Sequence, residues 1–358
     1  MSSVILSDYL RTPFGAPGGI LQSLRAEELA AQVIRGLVER TGLDPAAVDH
    51  VYLGCPSEAN QAEIAQAALL PESRSITIVP DGFAAMAAAV EAIKNGAARC
   101  CIVGGVESFS HSQASVDHTP EAVEAAEAIA ERWRIKRGLQ DQFALESHLK
   151  AILAREAGCF VREILPIPVT DGNRGETVQR DELPRAGIHL EELAAIKPLL
   201  HHHGTVTTGN SSRPVEGAAA MMICHEDFAK KHGLKPLVRI TGITSAPGDD
   251  SPQGIGPIPA IEKVLGQAGR SKFEIGLWEI PEDFAAVSLA ILAELDPDLD
   301  RVNPGGGSIA FGNPEAIVGI RMAGTLAFTM DRAGVKYGVA AGSGKNGLGQ
   351  ALLLELAN

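Results

Sequence analysis

The stretch that decides the fold is residues 83–95, closed by Gly96 and followed by Cys100-Cys101-Ile102-Val103-Gly104-Gly105. It is matched far downstream by residues 315–332, closed by Gly334 and followed by Tyr337-Gly338-Val339-Ala340-Ala341-Gly342. Each copy reads as a helix, a glycine stop and an apolar strand running into a glycine turn. Working outward, the same order of elements precedes both copies. A β-branched strand opens each half, Val4-Ile5-Leu6-Ser7-Asp8 and Leu237-Val238-Arg239-Ile240-Thr241, and each is followed by a Pro/Gly turn, the second being Ala246-Pro247-Gly248. An amphipathic helix comes next, at 26–40 with Leu29, Val33, Ile34 and Leu37 on one face, and at 259–267 in the second half. Short strands then follow, Val51-Tyr52-Leu53-Gly54 and Ile275-Gly276-Leu277-Trp278-Glu279. Continuous apolar strands alternating with helices imply sheets covered on both faces, and a repeated half implies two of them.

The expected fold class is therefore α/β, a duplicated α/β/α/β/α layered arrangement with an inserted loop region. The first half takes residues 1–108 plus about 205–234, because Gly217-Ala218-Ala219-Ala220-Met221-Met222-Ile223-Cys224 reads as a buried strand returning to it. Residues 109–204 are more polar and form the insert, and residues 235–358 form the second half.

The chain has 358 residues, enough for two lobes with a large shared interior. Hydrophobic residues make up 45% and aromatics only 4%, so Ala, Val, Ile and Leu must fill that interior. A formal charge of -13 with no Lys/Arg block argues against binding nucleic acid. Cys55, Cys100, Cys101, Cys159 and Cys224 form no CxxC pair, which fits reduced thiols in a cytoplasm. Residues 1–8 are too short and polar for a signal peptide, and no apolar run reaches the roughly 18 residues of a membrane helix. His201-His202-His203 reads as a solvated run, since neighbouring loop residues rarely converge on one ion, so no metal is expected.

Several segments stand in an order that resembles the thiolases, enzymes that join or cleave acyl-CoA units. These are Arg11-Thr12-Pro13-Phe14-Gly15, Gly104-Gly105-Val106-Glu107-Ser108, Asp141-Gln142-Phe143-Ala144-Leu145-Glu146-Ser147 and Gly204-Thr205-Val206-Thr207-Thr208-Gly209-Asn210-Ser211-Ser212. Gly254-Ile255-Gly256-Pro257-Ile258-Pro259-Ala260, Val302-Asn303-Pro304-Gly305-Gly306-Gly307 and Tyr337-Gly338 continue the series, so the resemblance covers nearly the whole chain. It implies a CoA thioester as ligand, with Ser211 and Ser212 beside the pantetheine arm and the glycine turn at Gly344 as a further contact. It requires no other cofactor. It also implies dimerisation through the strand Ser75-Ile76-Thr77-Ile78-Val79, which is β-branched and suited to pairing across a twofold.

The resemblance breaks at the reacting groups. The family's nucleophilic Cys aligns with Val79, in Val79-Pro80-Asp81-Gly82. Its Gly-His-Pro becomes Gly312-Asn313-Pro314, and its second Cys becomes Ser343. Its Asn-Glu-Ala-Phe becomes Pro281-Glu282-Asp283-Phe284, losing an amide and keeping Glu282. A valine carries no acyl group, and an amide is no proton acceptor near neutral pH. Asp81 is expected to cap the helix that follows it, and Asn313-Pro314-Glu315 to begin another. Cys55 has no His beside it in the sequence and reads as a core residue.

Three functions follow as expectations. The first is a catalytically inert thiolase-family subunit, a homodimer or a heteromer with an active thiolase-family chain. The second is an enzyme that acts on acyl-CoA without a covalent intermediate, by an aldol- or decarboxylation-type step using Glu282, Asp81 or Asn313. The third is an acetyl-CoA acetyltransferase, as similarity alone implies. The candidate catalytic residues are Asn313, Glu282 and Ser343, with Val79 at the nucleophile position.

Overall fold

The computed structural model describes residues 3–55, 61–71, 75–111, 118–171, 174–247, 254–344 and 347–357. Gly248, Lys345 and Asn346, which belong to two of the turns read from the sequence, lie outside the described residues.

Eleven strands are described: β1 Val4–Arg11, β2 His50–Gly54, β3 Ile76–Val79, β4 Cys100–Glu107, β5 Ile167–Asp171, β6 Arg174–Val178, β7 Gly217–His225, β8 Val238–Ala246, β9 Leu277–Glu279, β10 Tyr337–Ser343 and β11 Gly349–Leu356. Nine of them run in the order β3-β2-β4-β7-β1-β8-β11-β10-β9, and β5 and β6 form a separate antiparallel pair. Reading outward from the β1/β8 junction, both halves have the same topology: β1-β7-β4-β2 on one side and β8-β11-β10-β9 on the other. The halves join where Ile5 and Leu6 face Arg239 and Val238. In each half the strand next to the opening one is antiparallel to it, and the last pair, β4 with β2 or β10 with β9, is parallel.

Strand side chains alternate between layers, as the period of two requires. In β4, Ile102 packs outward with Leu29, Val33, Ile34 and Leu37 of helix Ala26–Thr41. Its neighbour Val103 points to the centre, where helices Gly82–Lys94 and Val318–Ala333 pack between the two halves. In β10, Ala340 joins that same central cluster, whereas Val339 packs on helices Pro257–Ala268 and Ala285–Leu295 on the far side. The layering is α/β/α/β/α, with the largest core in the middle.

The two central helices approach closely because each offers a glycine to the other. A Cβ on Gly82 would lie 2.7 Å from Ile320 Cγ1, and one on Gly319 would lie 2.5 Å from Phe83 Cδ2. Asp81 caps the first helix by accepting from Ala84 N at 2.9 Å. The second helix starts later than the Asn313-Pro314-Glu315 pattern suggests, at Val318. Its approach is a turn, in which Ile317 N and Val318 N both donate to Pro314 O, held by one tertiary bond: Glu107 at the end of β4 accepts from Ala316 N at 3.0 Å. That leaves the Asn313 side chain available elsewhere.

Among the described residues no helix is long and apolar enough to cross a membrane.

Candidate active site

A cavity of about 270 Å³ opens where the N-terminal ends of the two central helices meet the ends of β3 and β10. Pro80, Asp81 and Phe83 come from the first helix start, Asn313 and Glu315 from the approach to the second, Val318 and Met322 from that helix itself, and Ser343 and Gly344 from the end of β10. Pro281, Asp283 and Phe284 form the opposite wall, and His118 closes one side.

The acids divide sharply by environment. Glu282 does not line this cavity; it lies beneath it, 2% exposed, accepting from Ser147 Oγ at 2.7 Å, Asn303 Nδ2 at 2.7 Å and Ile309 N at 3.2 Å. Burial pushes its pKa up, against the pull of those bonds. A Cβ on Gly307 would lie 2.1 Å from the Glu282 carboxyl carbon, so this acid requires a glycine at 307. Asp283, the next residue, points into the cavity, where Asn313 Nδ2 donates to its Oδ1 at 2.7 Å. Its pKa is raised to about 7, first by desolvation and then by the charges of Glu315 and Glu282. A carboxyl poised there exchanges protons near neutral pH, as a general base must. Backbone bonds hold the pair in place: Asn313 N donates to Arg213 O at 2.7 Å and Ser212 N to Asp283 O at 2.9 Å.

Ser343 also lines the cavity, with its hydroxyl donating to Gly254 O at 3.2 Å. Asp81 accepts from Gln350 Nε2 at 3.4 Å in addition to its capping bond. Val79 is partly buried against the central core, one residue short of the lining. None of the chain's five cysteines lines the cavity. Cys55 is buried in the outer core of the first half, and the Cys101 and Cys224 thiols are pushed up to about 12 by burial, far from a reactive thiolate. Ser211 and Ser212, 3% and 2% exposed, border a second pocket that also holds Arg213, Pro120 and His118. His118 thus stands between the two spaces, donating from Nε2 to Ser212 O at 2.8 Å with its ring 4.5 Å from that of Phe284. Gly344 borders the first cavity and donates its N–H to Leu348 O. His201, His202 and His203 lie exposed in a turn.

Sequence reasoning missed Asp283, His118 and Gln350. The Asp283 signal was present in Pro281-Glu282-Asp283-Phe284, where the lost amide was weighed and the added carboxyl was not.

Comparison with known proteins decides the family. Residues 4–124 and 114–227 match the thiolase N-terminal domain, and residues 234–356 match the thiolase C-terminal domain. The chain belongs to the thiolase family. This thiolase is 35% identical to a beta-ketoadipyl-CoA thiolase of Pseudomonas aeruginosa, over 98% of both chains. It is also 35% identical to an acetyl-CoA acetyltransferase of Paracoccus denitrificans, over 99% of this chain and all of the relative. Its structure superimposes on an acetyl-CoA acetyltransferase of Bacillus anthracis with a TM-score of 0.94 at 33% identity, covering 100% and 99% of the two chains. The human mitochondrial 3-ketoacyl-CoA thiolase, solved in complex with CoA, gives 0.92 at 30% identity, covering 100% of this chain and 98% of that one.

These relatives overturn the expectation of a catalytically inert subunit. Thiolases matched from end to end carry the names of active enzymes and favour the acetyl-CoA acetyltransferase reading. The inert reading counted lost side chains position by position; it left out Asp283, a carboxyl of shifted pKa that lines the cavity beside Asn313 and Ser343.

Proposed function

We propose that this thiolase makes or breaks the carbon–carbon bond between two acyl units presented as CoA thioesters, in the cavity at the ends of the central helices, with Asp283 as the proton acceptor. The observation that carries this is the Asp283–Asn313 pair, a carboxyl with its pKa near 7 held at 2.7 Å by an amide at the family's histidine position.

In the condensing direction the Asp283 carboxylate takes a proton from the α-carbon of one acyl-CoA. The resulting carbanion attacks the thioester carbonyl of the second, and the C–S bond breaks. The departing CoA thiolate takes the proton back from Asp283. No cysteine borders the cavity, so the acyl group passes directly between the two CoA thioesters. Asn313 orients the base through its donated hydrogen bond, Ser343 fixes the turn after β10 against Gly254, and Glu282 braces the wall that carries Asp283. The pantetheine arm runs past Ser211 and Ser212 and reaches the cavity beside His118 and Gly344. Two copies pair through β3, which stands at the outer end of the sheet with β2 as its partner.

Thiolysis of acetoacetyl-CoA by CoA, before and after treatment of the protein with iodoacetamide, tests the reading. Turnover that survives alkylation is expected. No turnover, or turnover abolished by alkylation and protected by substrate, would rule it out.

A further inference from the structure

Glu282, the acid beneath the cavity, is held by segments that lie far apart in the chain. Ser147, on helix Arg137–Glu156, donates from Oγ to Glu282 Oε2 at 2.7 Å and accepts from Gly307 N at 3.1 Å. Asn303 donates from Nδ2 to Glu282 Oε1 at 2.7 Å, and the same amide pairs with Ile280 N and Ile280 O at 2.8 and 3.0 Å. Ile309 N completes the set at 3.2 Å. The clamp is built under constraint. Asn303 stands at φ 42°, in the left-handed region, and a Cβ on Gly306 would lie 2.6 Å from Ser147 O. The loop at 303–307 is thus pressed between the helix that carries Ser147 and the segment after β9 that carries Glu282 and Asp283.

We infer that Ser147, buried and outside the lining of the cavity, is a positioning residue for the reaction: it holds the Glu282 carboxylate ionised and in place beside Asp283, and through it fixes the orientation and charge environment of the base. The inference rests on Asp283 as the proton acceptor of the proposed reaction and adds a residue that acts through it. Asp283 is raised to about 7 by burial first and then by the charges of Glu315 and Glu282, and it shares the cavity with Asp81 and His118. Burial works against the Glu282 charge, whereas the bonds from Ser147, Asn303 and Ile309, with Arg321 nearby, work for it. Glu279, raised to about 7 by burial against the pull of Arg321, accepts from Arg321 Nη1 at 2.9 Å on the same segment. Without the Ser147 hydroxyl, Glu282 takes up a proton more readily. Asp283 then loses a repelling charge and gives up its own proton at lower pH.

Two readouts on the full chain follow Asp283: the pH dependence of kcat/KM for thiolysis of acetoacetyl-CoA, and carbon NMR of protein labelled at the aspartate carboxyls, with the Asp283 signal assigned by its loss in Asp283→Asn. Ser147→Ala is expected to lower kcat about tenfold and leave KM within about twofold, because a displaced base slows the chemistry without loosening the thioester. It is also expected to move the rising limb of the profile and the Asp283 titration to lower pH by about 0.5. Ser147→Thr, which keeps the hydroxyl, is expected to restore both. Should Ser147→Ala fail to fold, Glu282→Gln removes the same charge in the same shape and carries the same expected displacement. A limb and a titration that stay in place, or a Ser147→Thr protein that behaves like Ser147→Ala, would overturn the inference. A titration that moves in a chain without turnover would refute the reaction and leave the Ser147–Glu282–Asp283 linkage standing, whereas turnover with an unmoved limb would refute the linkage alone.

Discussion

Asp283 gains its chemistry from neighbours that the local sequence does not reveal. Its pKa is raised to about 7 by burial, by Glu315 thirty-two positions along and by Glu282 beside it. A base must be deprotonated to act, so kcat/KM for thiolysis is expected to rise with pH through about 7, and Asp283→Asn to cost about 10²–10⁴-fold in kcat. A folded-state pKa above the ordinary carboxyl value also means that the native protein holds the proton more firmly than the unfolded chain does. The stability contributed by this acid is complete below about pH 4 and is lost as pH rises through about 7. Asp283→Asn is therefore expected to raise Tm at pH 8 and leave it nearly unchanged at pH 4, so activity and stability move oppositely. A Tm that falls at pH 8 would contradict the assigned environment. Motif reading singled out Pro281-Glu282-Asp283-Phe284 and Asn313, and the structure brings Asp283 and Asn313 together on one cavity. It could not place Glu282 beneath the cavity and Asp283 inside it, because that division depends on which side chain Ser147 and Asn303 bind.

Between elements, the central contact is the reciprocal packing of Gly82 on Ile320 and Gly319 on Phe83. Gly319→Ala would set a methyl 2.5 Å from the Phe83 ring, which forms part of the cavity wall. A loss of about 1–3 kcal/mol in urea unfolding is expected, with reduced turnover as Phe83 shifts. Unchanged stability would mean that the helices part easily. The repeated helix-glycine-strand pattern made both central helices legible, along with the strands that follow them. The start at Val318 was not legible, because Asn313-Pro314-Glu315 satisfies every local preference for a helix start and loses to Glu107, more than two hundred residues away in sequence. Local capping is worth about 1 kcal/mol, and a buried carboxylate bonded to a backbone N–H outweighs it.

At the scale of the molecule, a buried ion cluster ties Glu163 and Asp181 to the end of β1. Arg11 at the end of β1, 1% exposed, donates from Nε to Glu163 at 2.8 Å and through both terminal nitrogens to Asp181 at 2.6 and 2.9 Å. Removing the cation leaves two buried acids unpaired, so Arg11→Met is expected to cost about 3–5 kcal/mol in chemical unfolding, and a loss under 1 kcal/mol would contradict this role. Arg11 was legible as part of a family motif, but its partners were not, since neither acid stands near it in sequence. The edge position of β3 makes a mass of two chains the expected result of light scattering on the purified protein, and a single-chain mass would exclude pairing there. The duplication read from the sequence foretold the layered fold, whereas the function inferred from lost residues erred because a reaction belongs to a cavity rather than to any one position. The most direct measurement is kcat for thiolysis of acetoacetyl-CoA by the unmodified chain beside its Asp283→Asn variant. Turnover by the first and a drop of at least about a hundredfold in the second is the expected result. No turnover by the unmodified chain, or equal rates in both, would contradict the account.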